Sequence, residues 1–387
     1  MKKLSAWDVI IVGAGAAGLM AAASASSRGL RVLLLEKNRK LGVKILMSGG
    51  TRCNITHNCS SAEIVSAFGR QGKFLHSALA ALPPTEVVEK IESQGVATKI
   101  ESTGKIFPVS NKAIDVRDAL VGLARQSGAE IRSEHSVDSV EKSDDQFVVQ
   151  SAGQRLTAKS LLITTGGKSY PGCGTTGDGY SWATQFGHSI VDTVPALVPI
   201  LNNASWANEL KGITIEKSTV SVWQPQIVPD SIEGFTKSQL KKLKPRTLVQ
   251  RDGSFLFTHW GFSGPSVLDV SREVARHQQA KKLKLICDFL PSQSAAQFEE
   301  FLIRKKSENG KQNVGNLLNE LFPKRLAESL LSQAGNGEAG SSFELNSKNA
   351  ELSKKDLASI AEQVKRCKFD INGTCLLYTS PSPRDRG

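Results

Sequence analysis

An α/β fold is what this chain predicts, and three observations predict it. Residues 8–37, DVIIVGAGAAGLMAAASASSRGLRVLLLEK, read as strand, helix and strand, with Gly13-x-Gly15-x-x-Gly18 at the first turn. A second buried-type strand at 158–167, AKSLLITTGG, has the character of a strand returning to the same parallel sheet. From Pro195 onward the character changes to β-type runs followed by amphipathic helices, which marks a second domain.

The first unit carries a specific chemistry. Val9, Ile10, Ile11 and Val12 form an apolar, β-branched run, as a strand buried on both faces requires. Gly13 permits the tight turn, Gly15 lets a pyrophosphate approach the backbone, and Gly18 lets the helix lie close on the strand. Phosphates then sit at the helix N-terminus, where free N–H groups and the helix dipole favour negative charge. Gly29 stands where a C-terminal helix cap is expected. Glu36 ends the second strand, where a carboxylate accepts the hydroxyls of an adenosine ribose and repels a 2′-phosphate. The motif does not separate FAD from NAD.

Next comes a basic loop with Lys37, Arg39, Lys40 and Lys44. The segment 48–54 offers a glycine pair, two hydroxyls, a guanidinium and an amide, suited to an anion-binding nest or to a solvated surface loop. Arg52 could fix a carboxylate or phosphate with a bidentate contact. Cys53 reads either as a redox thiol or as a buried structural cysteine, with no resolving cysteine near it in sequence. Helices are expected at 62–68, 74–82 and 86–94, the last capped by Thr85, and a longer one at 113–127. A strand is expected at 104–109. Alternating runs at 130–132, 137–142, 147–151 and 155–157 suggest a small β-meander. The glycine- and threonine-rich stretch 168–180 precedes a helix at 181–186, and its Thr176-Gly177-Asp178-Gly179 gives a second close backbone approach beside an acid.

In the second domain, strands are expected at 218–223, 254–258 and 282–289, with Asp252-Gly253 as a hairpin turn. The run 237–246, KSQLKKLKPR, reads as a solvated face or as a nucleic-acid contact. His259 sits among turn residues in Phe257–Pro265 and reads as structural or as a substrate contact. Residues 293–333 and 351–366 have helical apolar spacing, and 334–350 is a loop.

Composition sets the frame. The 387 residues allow two or three domains, and 40% hydrophobic content is enough for sizeable cores. The net charge of +12 fits an anionic ligand or nucleic acid and is also common in ordinary cytoplasmic enzymes. Six cysteines lack any CxxC or metal-ligand spacing, so no metal is expected. The apolar N-terminal stretch has glycine spacing and acid-bounded strands unlike a secretory signal or a membrane span, so a cytoplasmic location is expected.

Several stretches together resemble one family, the aminoacetone-oxidase-like, or HI-type, NAD(P)/FAD-dependent oxidoreductases. They are GAGAAGL at 13–19, LGVKILMSGGTRCNIT at 41–56, FPVSNKAIDV at 107–116, TTGGKSYPGCGTTGDGY at 164–180 and FTHWGFSGP at 257–265. The family usually has a third glycine where this chain has Thr51. The resemblance implies a Rossmann-like FAD-binding domain at 1–195 and an inserted domain at 196–365, β-rich, barrel-like and partly helical. Residues 366–374 would begin a return to the first domain. Family members usually continue well beyond that point, so 375–387, CLLYTSPSPRDRG, reads as an extraneous tail on a truncated chain.

The implied cofactor is FAD, held by Gly13, Gly15, Ala16, Ala17, Gly18 and Glu36, with Lys37 and Lys44 beside them. The loop Ser48, Gly49, Gly50, Arg52, Cys53 and Asn54 would lie near it, as would Val137, Thr165, Gly166, Gly167, Thr176, Gly177 and Asp178. Arg52, Asn54 and His259 are the candidate catalytic contacts to a small-molecule substrate, with NAD(P)H as a possible electron donor. Two other classes stay open: an NAD-dependent dehydrogenase without flavin, and a nucleic-acid-binding flavoprotein whose FAD is structural.

Overall fold

The computed structural model describes residues 7–226, 244–335 and 343–375. The chain divides into two compact units, with the boundary between Asp192 and Thr193. Residues 237–243 of the basic run and 376–387 of the expected tail lie outside the described residues.

The first unit is built on a six-stranded sheet. Strand β1 (Trp7–Val12) is followed by helix α1 (Ala16–Ser26) and strand β2 (Val32–Leu35). A three-stranded layer of β3 (Thr56–His57), β4 (Thr98–Ile100) and β5 (Lys105–Pro108) comes next in the chain. The sheet then resumes with β6 (Glu130–Arg132), β7 (Val137–Ser143), β8 (Gln146–Ser151) and β9 (Gln154–Ile163), in the order β6-β2-β1-β9-β8-β7.

Strand β1 is central and parallel to both neighbours, with Ile11 opposite Leu34 and Leu162. Its residues alternate between two cores. Ile11 packs with Leu19, Ala22, Val116 and Leu120 on one face, while Ile10 and Val12 pack with Leu33, Leu35, Val149 and Trp182 on the other. That double burial explains the unbroken apolar run, because period-two alternation with polar residues suits only a strand with one wet face.

Four local expectations are corrected. Glu130–Arg132 is not part of the meander; it pairs in parallel with β2 as an outer strand of the sheet. Residues 155–157 and 158–163 are one strand, β9, antiparallel to β8 through Ala158 and parallel to β1 beyond it. The helix assigned to Thr85 starts instead at Pro84, capped by Pro83, because a proline at the first helical position loses no hydrogen bond. The helix expected at 181–186 starts three residues earlier, as Asp178–Gln185.

The second unit is a seven-stranded sheet with four long helices among the described residues, the first of which, Pro265–Arg276, packs Val267, Val270 and Val274 into its core. Its strands are β10 (Ile200–Leu201), β11 (Thr214–Gln224), β12 (Arg246–Thr258), β13 (Gly261–Ser263), β14 (Lys284–Asp288), β15 (Cys367–Asp370) and β16 (Gly373–Thr374). Their order is β15-β14-β11-β12-β13-β10-β16. The two outer strands, β15 and β16, are separated in sequence only by Ile371 and Asn372, so the sheet must curl until its ends meet. The buried Asn202 side chain donates to the Asp370 carbonyl at 2.6 Å, and Asn372 N–H donates to the Leu201 carbonyl at 2.9 Å, tying the ends together. Phenylalanines fill the interior, with Phe255–Phe257 centroids 4.9 Å apart and Phe262–Phe369 centroids 4.4 Å apart. Helices Ala295–Glu308, Lys324–Gly335 and Lys354–Lys365 add Phe298, Leu330 and Ile360 to the same core.

Residues 367–370 and 373–374 are strands of this second sheet. Cys367 and Phe369 face the barrel-like core, and hydrogen bonding to β14 satisfies their backbone. Asp252-Gly253 is not a turn: it lies within β12, where the register against β11 shifts. Gly253 has φ +157°, and a Cβ there would meet Ser266 N at 3.1 Å. A bulge and a hairpin turn select the same residue types, since both need conformations that glycine reaches cheaply. The tight turn falls at His259–Trp260, between paired Thr258 and Gly261.

Candidate functional site

A cavity of about 620 Å³ opens in the first unit, at the carboxyl end of β1. Its floor is the turn Gly13–Ala17. Gly13 has φ +102°, and a Cβ would meet the Thr164 carbonyl oxygen at 2.7 Å. Gly18 is closer still, with a Cβ 1.9 Å from the Gly13 carbonyl oxygen. Both glycines are therefore demanded by packing. Gly15 is different: a Cβ there meets nothing within 4 Å. No protein atom requires a glycine at this position, and the space beside it belongs to the cavity. Gly15 also caps α1 with no side-chain hydrogen bond, so the first N–H groups of that helix face the cavity without an intrahelical acceptor.

Glu36 closes one end. It is buried, its Oε2 accepts from Ala14 N–H at 2.8 Å, and its Oε1 accepts from Asn38 N–H at 2.9 Å and Asn38 Nδ2 at 2.8 Å. Oε2, with one donor, keeps lone-pair capacity for another. Lys37 donates to Thr176 Oγ1 and Asp178 Oδ2, each at 2.8 Å, and Thr176 donates to Asp178 Oδ1 at 2.7 Å. Partial burial pulls the Asp178 carboxyl upward, but hydrogen bonds from Lys37 and Thr176 and the Lys37 charge outweigh it and leave it below its ordinary range. Lys44 Nζ donates to Ser169 Oγ at 2.8 Å and fixes the 168–177 loop against the 41–48 segment.

Among the residues expected from sequence, Gly13, Gly15, Ala16, Ala17, Glu36, Lys37, Lys44, Ser48, Cys53, Asn54, Val137, Thr165, Gly166 and Asp178 line this cavity. Gly18, Gly49, Gly50, Gly167, Thr176 and Gly177 are not among the lining residues, and packing demands glycine at some of them. Gly49 shows why: a Cβ would meet Asn54 N at 2.8 Å and Phe107 Cε1 at 2.9 Å.

Arg52 is not among the residues that line the cavity: its guanidinium lies 2.5 Å from Glu101 Oε1 and 4.1 Å over the Phe107 ring. The hydrogen bond from Arg52 lowers the Glu101 carboxyl below its ordinary range. Arg52 thus braces the loop. Cys53 is buried, and burial raises its thiol despite a hydrogen bond from Ser48, so it is not a ready thiolate. His259 lies in the second unit, in the tight turn, with its ring 3.5 Å from that of Trp260. Among the described residues, no group of three or more His, Cys, Asp or Glu side chains is placed to hold a metal ion.

Sequence reasoning missed Asn38, His135, Ser136, Thr164, Thr175 and Trp182, which also line the cavity. Thr164 carried the clearest signal, ending a buried strand just before a glycine pair. Its hydroxyl donates to the Val12 carbonyl at 2.9 Å and the Gly13 carbonyl at 2.8 Å, locking the end of β9 onto the glycine turn.

The loop 49–53 is held almost wholly in left-handed backbone, with Gly49 at φ +57°, Gly50 at +67°, Thr51 at +70° and Cys53 at +62°. A β-branched residue in that region costs roughly 1–2 kcal/mol. Glycine relieves this but adds roughly 0.5–1 kcal/mol of unfolded-chain entropy. Thr51→Gly is therefore expected to stabilise the protein, raising its melting temperature by about 1–4 °C in calorimetry. A lower melting temperature would mean that the Thr51 hydroxyl contributes more than the strain costs.

The parallel strands β6, β2, β1 and β9, a glycine turn with a gap at Gly15 and an acid closing the second strand define a dinucleotide-binding domain. Residues 7–356 match the family described as HI0933-like protein Rossmann domain, and the chain belongs to that family. It is similar to a ribosomal RNA dihydrouridine synthase of Escherichia coli, 32% identical over 84% of this chain and 73% of that protein. It is also similar to a 3-dehydro-bile acid delta(4,6)-reductase of Clostridium scindens, 28% identical over 83% and 74% of the two chains. A ribosomal RNA dihydrouridine synthase of Haemophilus influenzae is 28% identical over 94% and 82%. The chain is an FAD-dependent oxidoreductase, and its cofactor is FAD. The residues present fit that group: Gly15 leaves the approach to the helix N-terminus clear, and Glu36 is a buried acceptor at the cavity's edge. Among the described residues, no helix is long and apolar enough to cross a membrane.

Proposed function

We propose that this protein is a cytoplasmic FAD-dependent reductase that saturates a carbon–carbon double bond conjugated to a carbonyl, and that its substrate is uridine in ribosomal RNA. The observation that carries the cofactor reading is Gly15, a glycine that packing does not require, at an uncapped helix N-terminus. Gly13 and Gly18 hold that turn, Ala16 and Ala17 present N–H groups to the pyrophosphate, and Glu36 receives the ribose hydroxyls. Lys37, Thr176 and Asp178 fix the adjoining loop, while Ser48, Cys53 and Asn54 line the cavity further along.

Bound FAD supplies a two-electron carrier, recharged by NAD(P)H. The reaction class rests on the names of the relatives. Making dihydrouridine from uridine adds two hydrogens across a double bond conjugated to a ring carbonyl. A delta(4,6) reduction of a 3-dehydro steroid is the same addition to a conjugated ketone. A hydride reaches the carbon β to the carbonyl, and a proton reaches the α carbon. Asn54, a lining residue that carries an amide, is suited to orient the carbonyl. His259 contacts the substrate in this reading, on the strength of its sequence motif alone. The RNA substrate is supported by the ribosomal RNA enzyme at 32% identity and by the net charge of +12.

The test is incubation of the yellow, purified protein with NADPH and unmodified ribosomal RNA, followed by mass spectrometry of the nucleosides. A uridine heavier by two hydrogens is expected. If the bound flavin is instead reoxidised only by small cyclic enones and RNA stays unmodified, the RNA substrate is wrong and the reductase class stands.

A further inference from the structure

The chain between the cavity loop and the helix Pro84–Glu92 forms a compact hairpin with an unusual surface. It consists of helix Ser61–Ala67, a 3-10 helix Gly69–Leu75 and helix His76–Ala81. Neither α-helix buries a single residue, and in the 3-10 helix only Gly72 is buried. A 3-10 helix repeats every three residues, so its side chains fall into three rows.

The first row is Gly69, Gly72 and Leu75, in which Gly72 is buried, Leu75 is half-buried and Gly69 is exposed. A Cβ on Gly72 would lie 1.8 Å from the Val65 carbonyl oxygen, so glycine is what lets this turn lie on the preceding helix. The second row runs from the capping residue Phe68 through Gln71 to Phe74, and it faces out. Phe68 is 59% exposed and Phe74 is 91% exposed. The third row is Arg70, Lys73 and then His76, all exposed. Neither Arg70 nor Lys73 has an ion-pair partner among the described residues. Glu63 is the single acid between residues 58 and 85, and its carboxylate is occupied at the Ser60 cap.

We infer that this hairpin is a docking platform for single-stranded RNA. An exposed aromatic row beside an uncompensated basic row is what unpaired RNA needs: bases stack on rings and phosphates meet cations. By the 3-10 rise, Phe68 and Phe74 stand roughly 12 Å apart along the row. The hairpin is also continuous with the cavity, because Leu82, the residue that ends its last helix, lines the cavity wall. The inference rests on the RNA reading above and adds the surface that holds the strand.

Fluorescence anisotropy of a short, labelled, uridine-containing single-stranded RNA against the FAD-loaded protein tests it. Phe74→Ala is expected to weaken binding by about five- to 150-fold, the loss of one base stack, and Phe74→Tyr is expected to retain it. Arg70→Gln with Lys73→Gln is expected to flatten the slope of log Kd against log salt by about 1.4, two phosphate contacts on a single strand. Reduction of the bound flavin by NADPH should be unchanged in all three, since none of these residues lines the cavity. If the wild-type protein binds RNA and these variants bind it equally well with the same salt slope, the platform lies elsewhere while the RNA reading survives. If the wild-type protein does not bind RNA at all, both fall together. Loss of binding to phosphatidylglycerol vesicles in Phe74→Ala, with RNA affinity intact, would assign the surface to lipid and overturn the inference.

Discussion

Glu36→Ala is expected to weaken FAD binding by about 10- to 150-fold, the loss of a charge-assisted hydrogen bond worth roughly 1.5–3 kcal/mol. The same substitution should also lower the melting temperature of the FAD-free protein. Glu36 is buried and accepts from Ala14 N–H and from both nitrogens of Asn38, so alanine leaves those donors without an acceptor. An unsatisfied buried donor costs roughly 1–3 kcal/mol, which for a unit of this size is several degrees. The two effects separate in Glu36→Gln, whose amide oxygen can serve one donor while its NH2 opposes another. Titration of FAD into each apoprotein, followed by calorimetry, gives both quantities. An unchanged Kd in Glu36→Ala would remove Glu36 from the cofactor site, even if stability fell.

Much of this site was legible because its logic is local. Strand β1, the glycine turn and Glu36 lie within one stretch of chain, and each residue type there answers a nearby geometric demand. What escaped the sequence is set by partners far away. Strand β9 changes from an antiparallel neighbour to a parallel one at Ala158, and nothing in QRLTAKSLLI marks that handover. Asp252-Gly253 has the composition of a turn, yet Ser266 and Pro265 press on it within a strand. Arg52 looked free to meet a ligand because its carboxylate partner, Glu101, comes from a turn 49 residues later. Residues 367–370 belong to the second sheet because β14 offers them an edge, and 373–374 because β10 does, facts that only the assembled sheet contains.

The sharpest prediction compares two glycines of one motif. A Cβ on Gly18 would sit 1.9 Å from the Gly13 carbonyl oxygen and 2.7 Å from Thr164 Oγ1, so Gly18→Ala must push α1 off the sheet. Such overpacking costs roughly 1–3 kcal/mol, occasionally more, and it distorts the turn that would hold the pyrophosphate. Both stability and FAD affinity should fall. Gly15→Ala should behave differently. Gly15 has φ −76° and ψ −174°, extended backbone that any residue adopts, and its Cβ would touch nothing. Alanine is a poorer helix cap than glycine but reduces the freedom of the unfolded chain, and these terms are each of order 0.5–1 kcal/mol and opposite in sign. The FAD-free Gly15→Ala protein should therefore melt within a few degrees of wild type. Its added methyl group would stand where the pyrophosphate approaches the backbone, so FAD binding should weaken by about 5- to 150-fold, the same overpacking penalty now charged to the ligand. Melting curves of both apoproteins and FAD titrations of both would settle the comparison. If Gly15→Ala bound FAD as tightly as wild type, the pyrophosphate would not cross at Gly15, and the cofactor would have to lie differently along the cavity.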